Sequence, residues 1–572
     1  MKLRMAVASL GLLGLGLMTT LGASGALSAS GALSASGAHN PARAASGTTL
    51  ATPARVTVPH TPAIFLGRGA ATRAATATAT STVDCTLPTG GQVKYFHCYT
   101  PQQIRAAYGV TKIANLTTGN PDYGQGQTIV LVDSYGSPTA AADLQHFHDT
   151  FFPKLPAPKF TQIFPLGDPQ YHTADNGSGL SGSTGAAGWS GEATLDIEWA
   201  YAIAPEATIV LLAVPPSETE GVQGYPNLFK AITHEISVTP PGTVFSMSFS
   251  STEQAFGGAA ALQTARFDKV FQRGIAKHDN FFDAAGDTGT LNVGKQQRES
   301  RYYQYPTVEW PATSPYVVAV GGTQLQYGWT WDPSSDTPFT PTHTSTFTHA
   351  TPTYWHALSG TTGGQAVWNE SWADIGTNGG VSTIFPEPSW QKSVGTFAGR
   401  AVPDTSWNAA VNGGVLIWIS AYPAYNCFTA SSTGCWTISG GTSAATPQTA
   451  ALVALANAAR AHDTKSPVGF LDPILYKTAS VQSAYTHIGP HDYGSAPKTQ
   501  TVTDYTDTGT ATTVNKSVGT LVDNQMWQTT VPGYYETTPY NLATGWGAPK
   551  AATFVKALLA RTATTSVGAT ST

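Results

Sequence analysis

The sequence predicts a doubly wound α/β domain, a mostly parallel sheet with helices on both faces. Three observations carry this. Short apolar runs such as Ile129–Val132 within Thr128–Asp133 end in polar loops, as strands buried on both faces do. Helical and strand patterns alternate along the middle of the chain. The stretch Ser439–Pro447, Ser-Gly-Gly-Thr-Ser-Ala-Ala-Thr-Pro, turns sharply and runs into a helix-forming segment.

In chain order, the N-terminus reads as an export signal. Lys2 and Arg4 precede an apolar run from Met5 to about Leu21, too short and too rich in glycine to anchor the chain. A six-residue repeat, Ser24–Ala29 and Ser30–Ala35, leads to Ala42-Arg43-Ala44, a small-x-small cleavage motif. Residues 45–99, rich in Ala, Thr and Pro over their first forty positions, read as a leader or short propeptide closed by a small disulfide loop. Thr100 and Pro101 then start a helix, as N-cap and first-turn residues. Strands are expected at Thr128–Asp133, Ala207–Ala213, Thr243–Ser248 and Val317–Val320, with a helix from Ala260 to Arg273. Residues 326–362 and 490–530 are Thr- and Tyr-rich insertions, and 562–572 form a disordered tail. The organisation is therefore 1–44 signal and repeat, 45–99 leader, 100–561 main folded domain and 562–572 tail.

Composition narrows the function. Only 11% of the 572 residues are charged and the net charge is −5, which argues against a nucleic-acid partner. A hydroxyl-rich surface has few carboxylate pairs to lose on protonation and should tolerate acid. Four cysteines in an exported chain suggest two disulfides; Cys85 with Cys98 and Cys427 with Cys435 is the favoured of three connectivities. Neither pair has metal-ligand spacing.

The chemistry centres on Ser443. A hydroxyl where a glycine turn meets a helix N-terminus faces unpaired backbone N–H groups and the positive end of the helix dipole, which suits a nucleophile beside a developing oxyanion. A serine nucleophile needs a base. The Gly-Thr-Ser-x-x-x-Pro pattern invites comparison with subtilisins, in which Asp133 would take the orienting aspartate's place, but no His-Gly-Thr segment follows it. His146, His148 and His172 lie downstream without a following glycine, and the first two look like members of an amphipathic helix. What does occur is Gly191-Glu192-Ala-Thr-Leu195-Asp196-Ile-Glu198-Trp199. In a helix Glu192 and Asp196 share one face with Cβ atoms about 5–6 Å apart, and Glu198 turns away. In a strand the pair would be roughly 13 Å apart, too far to share a proton, and the alternation of Leu195, Ile197 and Trp199 keeps that option open.

Together these motifs resemble the sedolisins, the serine-carboxyl peptidases of subtilisin-like fold. Further matches are Ala284-Ala-Gly-Asp287-Thr-Gly, Trp310–Thr323, Asn378–Ser382 with Pro388–Gln391, Gly399–Asp404 and Ala543–Pro549, in family order over about residues 100–560. The resemblance implies Ser443 as nucleophile, Glu192 as its general base, Asp196 as the carboxylate that orients Glu192, and Asp287 as the oxyanion-stabilising acid. It implies an acid-acting endopeptidase, secreted and monomeric, with protein or peptide substrates, no nucleic-acid partner and no membrane association after export. The alternatives are a tripeptidyl exopeptidase of the same family, or an inactive secreted binding protein using its aromatic insertions.

The chain also departs from the family. Some members extend the carboxylate network with a glutamate and a tryptophan; Asp133 and Phe249 stand near those positions, so a shorter network is expected. Sedolisins bind one calcium ion near the C-terminus, but here the two aspartate positions are taken by His487 and Asn541. Calcium depends on carboxylate oxygens, so no cofactor is expected, although Asp492, Asp504 and Asp507 lie near enough in sequence to substitute.

Overall fold

A computed structural model describes residues 64–65, 85–93, 97–115, 123–167, 185–215, 222–290, 292–296, 299–303, 305–331, 355–370, 375–423, 427, 433–488, 534 and 538–561. The signal, the repeat, His172, the 490–530 insertion with its three aspartates, and the tail lie outside the described residues.

Ile64–Phe65 (β1) and Cys98–Tyr99 (β2) are two-residue strands. Pro101–Ala107 (α1) starts as its sequence dictates: the Thr100 hydroxyl accepts the Gln103 N–H, and the Gln103 side chain accepts the Thr100 N–H at 2.8 Å. Then come β3 (Thr128–Ser134), α2 (Ala140–Phe151), β4 (Lys159–Ile163), α3 (Ala186–Ile203), β5 (Thr208–Val214), α4 (Tyr225–Val238), β6 (Val244–Met247), α5 (Ala260–Ile275) and β7 (Asn280–Ala284). The C-terminal part adds β8 (Val318–Trp331), β9 (Trp355–Val367), β10 (Thr405–Asn408), β11 (Gly414–Ile419), β12 (Cys435–Gly440), α6 (Thr442–His462) and α7 (Ala551–Leu559).

The eight-stranded main sheet has the order β9-β8-β7-β6-β3-β5-β4, with β10 beside β8. All its pairings are parallel except that of β8 with β9. Alternate residues of one strand feed the two faces of the sheet. Ile129 and Leu131 join one apolar core with α2, α3, α6 and α7, whereas Val130 and Val132 join another with α4 and α5. That is the predicted α/β architecture, and it explains why these strands read as unbroken apolar runs.

Two regions extend what the sequence outlines. The strand beginning at Val318 runs on through Gly321-Gly322 to Trp331 and pairs antiparallel with β9, so ordered sheet enters the segment read as an insertion. The glycines belong inside the strand because of close packing: a Cβ on Gly322 would lie 2.7 Å from Ala409 Cβ. Residues 85–99, assigned by sequence to the leader, contribute Cys85, Val93, Cys98 and Tyr99 to the main core. Here β2 pairs in parallel with β11, and β1 pairs antiparallel with β12, completing a four-stranded sheet β1-β12-β11-β2. Both disulfides are local, Cys85–Cys98 and Cys427–Cys435.

Candidate active site

Helix α6 begins where the glycine turn ends. Gly441 is its N-cap at φ 103°, a left-handed conformation that side chains resist, and a Cβ there would lie 2.6 Å from Asp287 Oδ2. Thr442 and Ser443 therefore open the helix in direct apposition to Asp287. Asp287 Oδ1 accepts both the backbone N–H and the hydroxyl of Thr442, each at 2.7 Å, and Thr442 Oγ1 accepts the Gly286 N–H at 3.1 Å. Two loops distant in sequence are thus locked together, one after β7 and one after β12. Ser443 is fully buried, and its Oγ has no hydrogen-bond partner among the described residues.

Helix α3 is buried on all sides and packs against α6. The helical alternative is the one realised, so Glu192 and Asp196 stand one turn apart on one face, both with no exposed surface. Glu198 turns elsewhere, its Oε2 accepting the Trp418 N–H at 3.0 Å. Asp196 Oδ2 accepts the Ser248 hydroxyl at 2.9 Å, from the loop directly after β6. Burial pushes the Asp196 carboxyl well above the ordinary carboxylate range, and the neighbouring charges of Asp133 and Glu192 push it further, against the opposing pull of Ser248.

The influence of Asp133 extends the carboxyl group beyond the shorter network that its sequence position implies. Asp133 sits near the carboxyl end of β3, fully buried, with neither oxygen hydrogen-bonded to a described residue, and burial raises its carboxyl to about 8. The ends of β3 and β6 and one face of α3 thus gather three carboxyl groups, Asp133, Glu192 and Asp196, with Ser248 as a donor. Ser248 carried no sequence signal as a donor, because only the crossing of β6 and α3 puts it there. Phe249 packs beside Tyr225, with ring centroids 6.0 Å apart. The histidines of α2 are engaged elsewhere: His148 Nδ1 lies 2.6 Å from the Tyr201 hydroxyl, and His146 stacks on Trp418 at 3.8 Å.

The positions corresponding to the family's calcium ligands do not fit a calcium ion. Asn541 Oδ1 accepts the N–H groups of Ala543 and Thr544 at 2.9 and 2.7 Å, and the Thr544 hydroxyl at 3.1 Å. An amide oxygen so engaged brings no charge to a hard cation. His487 Nδ1 lies 3.1 Å from the Trp546 carbonyl, as a ring N–H donor would. No group of three or more metal-capable side chains occurs among the described residues. None of their helices is long and apolar enough to cross a membrane.

Residues 177–520 match the model of the subtilase family, peptidase S8. Kumamolisin of Bacillus sp. strain MN-32 is 29% identical over 387 residues, which cover 66% of this chain and 55% of that protein. Human tripeptidyl-peptidase 1 is 25% identical over 387 residues with the same coverage of each chain. The chain spans about half the length of these curated relatives. Among solved structures, a Pseudomonas sedolisin complexed with two molecules of pseudo-iodotyrostatin superposes with a TM-score of 0.52 at 20% identity, covering 80% of this chain and 97% of that one. This last likeness concerns the fold.

Proposed function

Because the chain belongs to the subtilase family, and within it to the sedolisins, we propose that it is an exported, acid-acting serine-carboxyl endopeptidase. The observation that carries this reading is the buried carboxyl pair of α3 packed against the helix that Ser443 opens, with the α2 histidines committed elsewhere. In the proposed reaction Ser443 Oγ attacks the scissile carbonyl and Glu192 takes the serine proton. Asp196, held by Ser248, orients Glu192 and shares the proton with it. The Glu192 proton then passes to the leaving amine, and a water repeats the sequence to release the acyl group. Asp287 keeps Oδ1 on Thr442, so Oδ2 is the oxygen that carries the proton donated to the oxyanion.

The assignment requires acid. A carboxylate base still works at about pH 3–5, where an imidazole base would be protonated, and the oxyanion donor exists only while Asp287 keeps its proton. Proteolysis should therefore peak at about pH 3–5 and nearly vanish at neutrality. Ser443→Ala and Glu192→Gln should each abolish turnover while leaving the circular dichroism unchanged. A neutral optimum, or full activity in Ser443→Ala, would refute the mechanism. Cleavage of a peptide blocked at its amino end separates an endopeptidase from a tripeptidyl exopeptidase, which requires a free amino terminus.

A further inference from the structure

The C-terminal end of α3 faces a different part of the molecule from its catalytic half. Ile203 lies eleven residues beyond Glu192, about 16 Å along the helix axis. There a cavity of about 400 Å³ opens between α1, the loop after α2 and the segment before β3. Arg105, Tyr123, Phe151, Phe152, Lys154 and Leu155 are among its lining residues.

Arg105 sets the chemistry. Its residue is only 7% exposed, and Nη1 donates to the carbonyls of Ala202 and Ile203, both at 2.7 Å. The guanidinium also lies 5.6 Å from the centre of the Tyr123 ring and 5.9 Å from that of Phe152. Two of its five N–H groups are spent on the helix end, and Nε and Nη2 make no hydrogen bond among the described residues. No carboxylate forms an ion pair with it there; burial even lowers its affinity for the proton, to about 10. A buried cation without an anionic partner, at the wall of an open and largely apolar cavity, has its counter-charge missing.

We propose that this cavity binds a small monoanionic carboxylate with an apolar body. The carboxylate would sit on the free edge of Arg105 with Lys154 at the rim, and the apolar part would lie among Phe151, Phe152 and Leu155. Planar, forked donors suit a carboxylate, and the cavity falls within the size range of small-molecule sites. A free organic acid and the C-terminal residue of a peptide present the same chemistry. The proposal does not depend on the peptidase assignment.

The test is calorimetric titration of the full chain at pH 6.5 with N-acetyl-phenylalanine, with its neutral amide and, as the non-peptide arm, with benzoate. Saturable one-to-one binding of N-acetyl-phenylalanine is expected, at least about tenfold tighter than the amide, the contribution of one charge-assisted hydrogen bond. Benzoate binding as tightly as the amino-acid derivative assigns the site to free organic acids; weaker benzoate binding assigns it to peptide C-termini. Arg105→Gln should lose binding, but it also removes the two bonds that finish α3. Phe152→Ala, which leaves those bonds in place, should weaken binding about tenfold without altering circular dichroism. Equal binding of acid and amide, no saturation by 20 mM probe (about 2 kcal/mol of affinity or less), or undiminished binding in Phe152→Ala would overturn the proposal.

Discussion

At the residue level the turn Ser439–Pro447 was the most legible part of the chain, because glycine, hydroxyl and helix-forming residues each fix a local conformation. Gly441 is the clearest case: both its positive φ and its approach to Asp287 exclude a side chain. Two substitutions separate geometry from titration. Asn at position 287 can keep accepting from Thr442 through its amide oxygen and donate through its amide nitrogen, but it cannot ionise. Asp287→Asn should therefore leave a slower enzyme that loses less than the about 10²–10³ in kcat expected when the donor is removed altogether, as in Asp287→Ala, with a flattened decline toward neutral pH. Gly441→Ala forces a Cβ against that carboxyl and should cost more in kcat than Asp287→Asn at every pH. A more active Gly441→Ala enzyme would show that the contact between the two loops does not hold the site. Asp133 was less legible. Sequence placed it at a strand end, but only the crossing of β3 with α3 makes its charge part of the Asp196 environment.

Among the elements, α3 shows where pattern fails and packing decides. A helix buried all round carries no helical stripe, and its alternating Leu195, Ile197 and Trp199 mimic a strand. Burial on every side removes the polar face on which a periodicity argument relies. The C-terminal turn shows side-chain type deciding local geometry. Asn541 serves as a hydrogen-bond acceptor that closes its own turn and holds Ile488 through its amide nitrogen at 2.9 Å. The turn is closed by these hydrogen bonds, and an amide brings no charge to a hard cation. A calcium chelator at acid pH should consequently leave both melting temperature and activity unchanged. A stoichiometric calcium signal in purified protein, or a fall in Tm on chelation, would contradict this.

For the molecule as a whole, buried carboxyl groups set an expectation for how stability depends on pH. Sequence pointed to a surface poor in ion pairs; the structure adds a set of buried carboxyl groups that fold in their neutral form. Burial raises Asp133 to about 8 and Asp268 and Asp279 to about 7, and it lifts Asp196, Glu198, Asp283 and Asp472 well above the ordinary range. Each has a higher pKa folded than unfolded, so between about pH 4 and 8 the folded chain holds more protons than the unfolded one. Stability is then fully present below about pH 4 and drains away as the pH climbs through the raised values. Scanning calorimetry should find a higher Tm at pH 4 than at pH 7.5, and a flat or reversed trend would count against neutral burial of these groups. The pairing of Ile64–Phe65 with Ser439–Gly440 has its own consequence. With β11 on one side and β1 against Ser439 and Gly440 on the other, the stretch that leads into the turn before Ser443 is paired on both edges at Ser439. An extended peptide can pair there only by displacing a rival tethered to the same chain, at an effective concentration on the order of millimolar. Severing the chain between Phe65 and Cys85 would turn that tethered rival into a dilute one. For any substrate that uses this edge, the KM of the severed protein should fall below that of the intact chain.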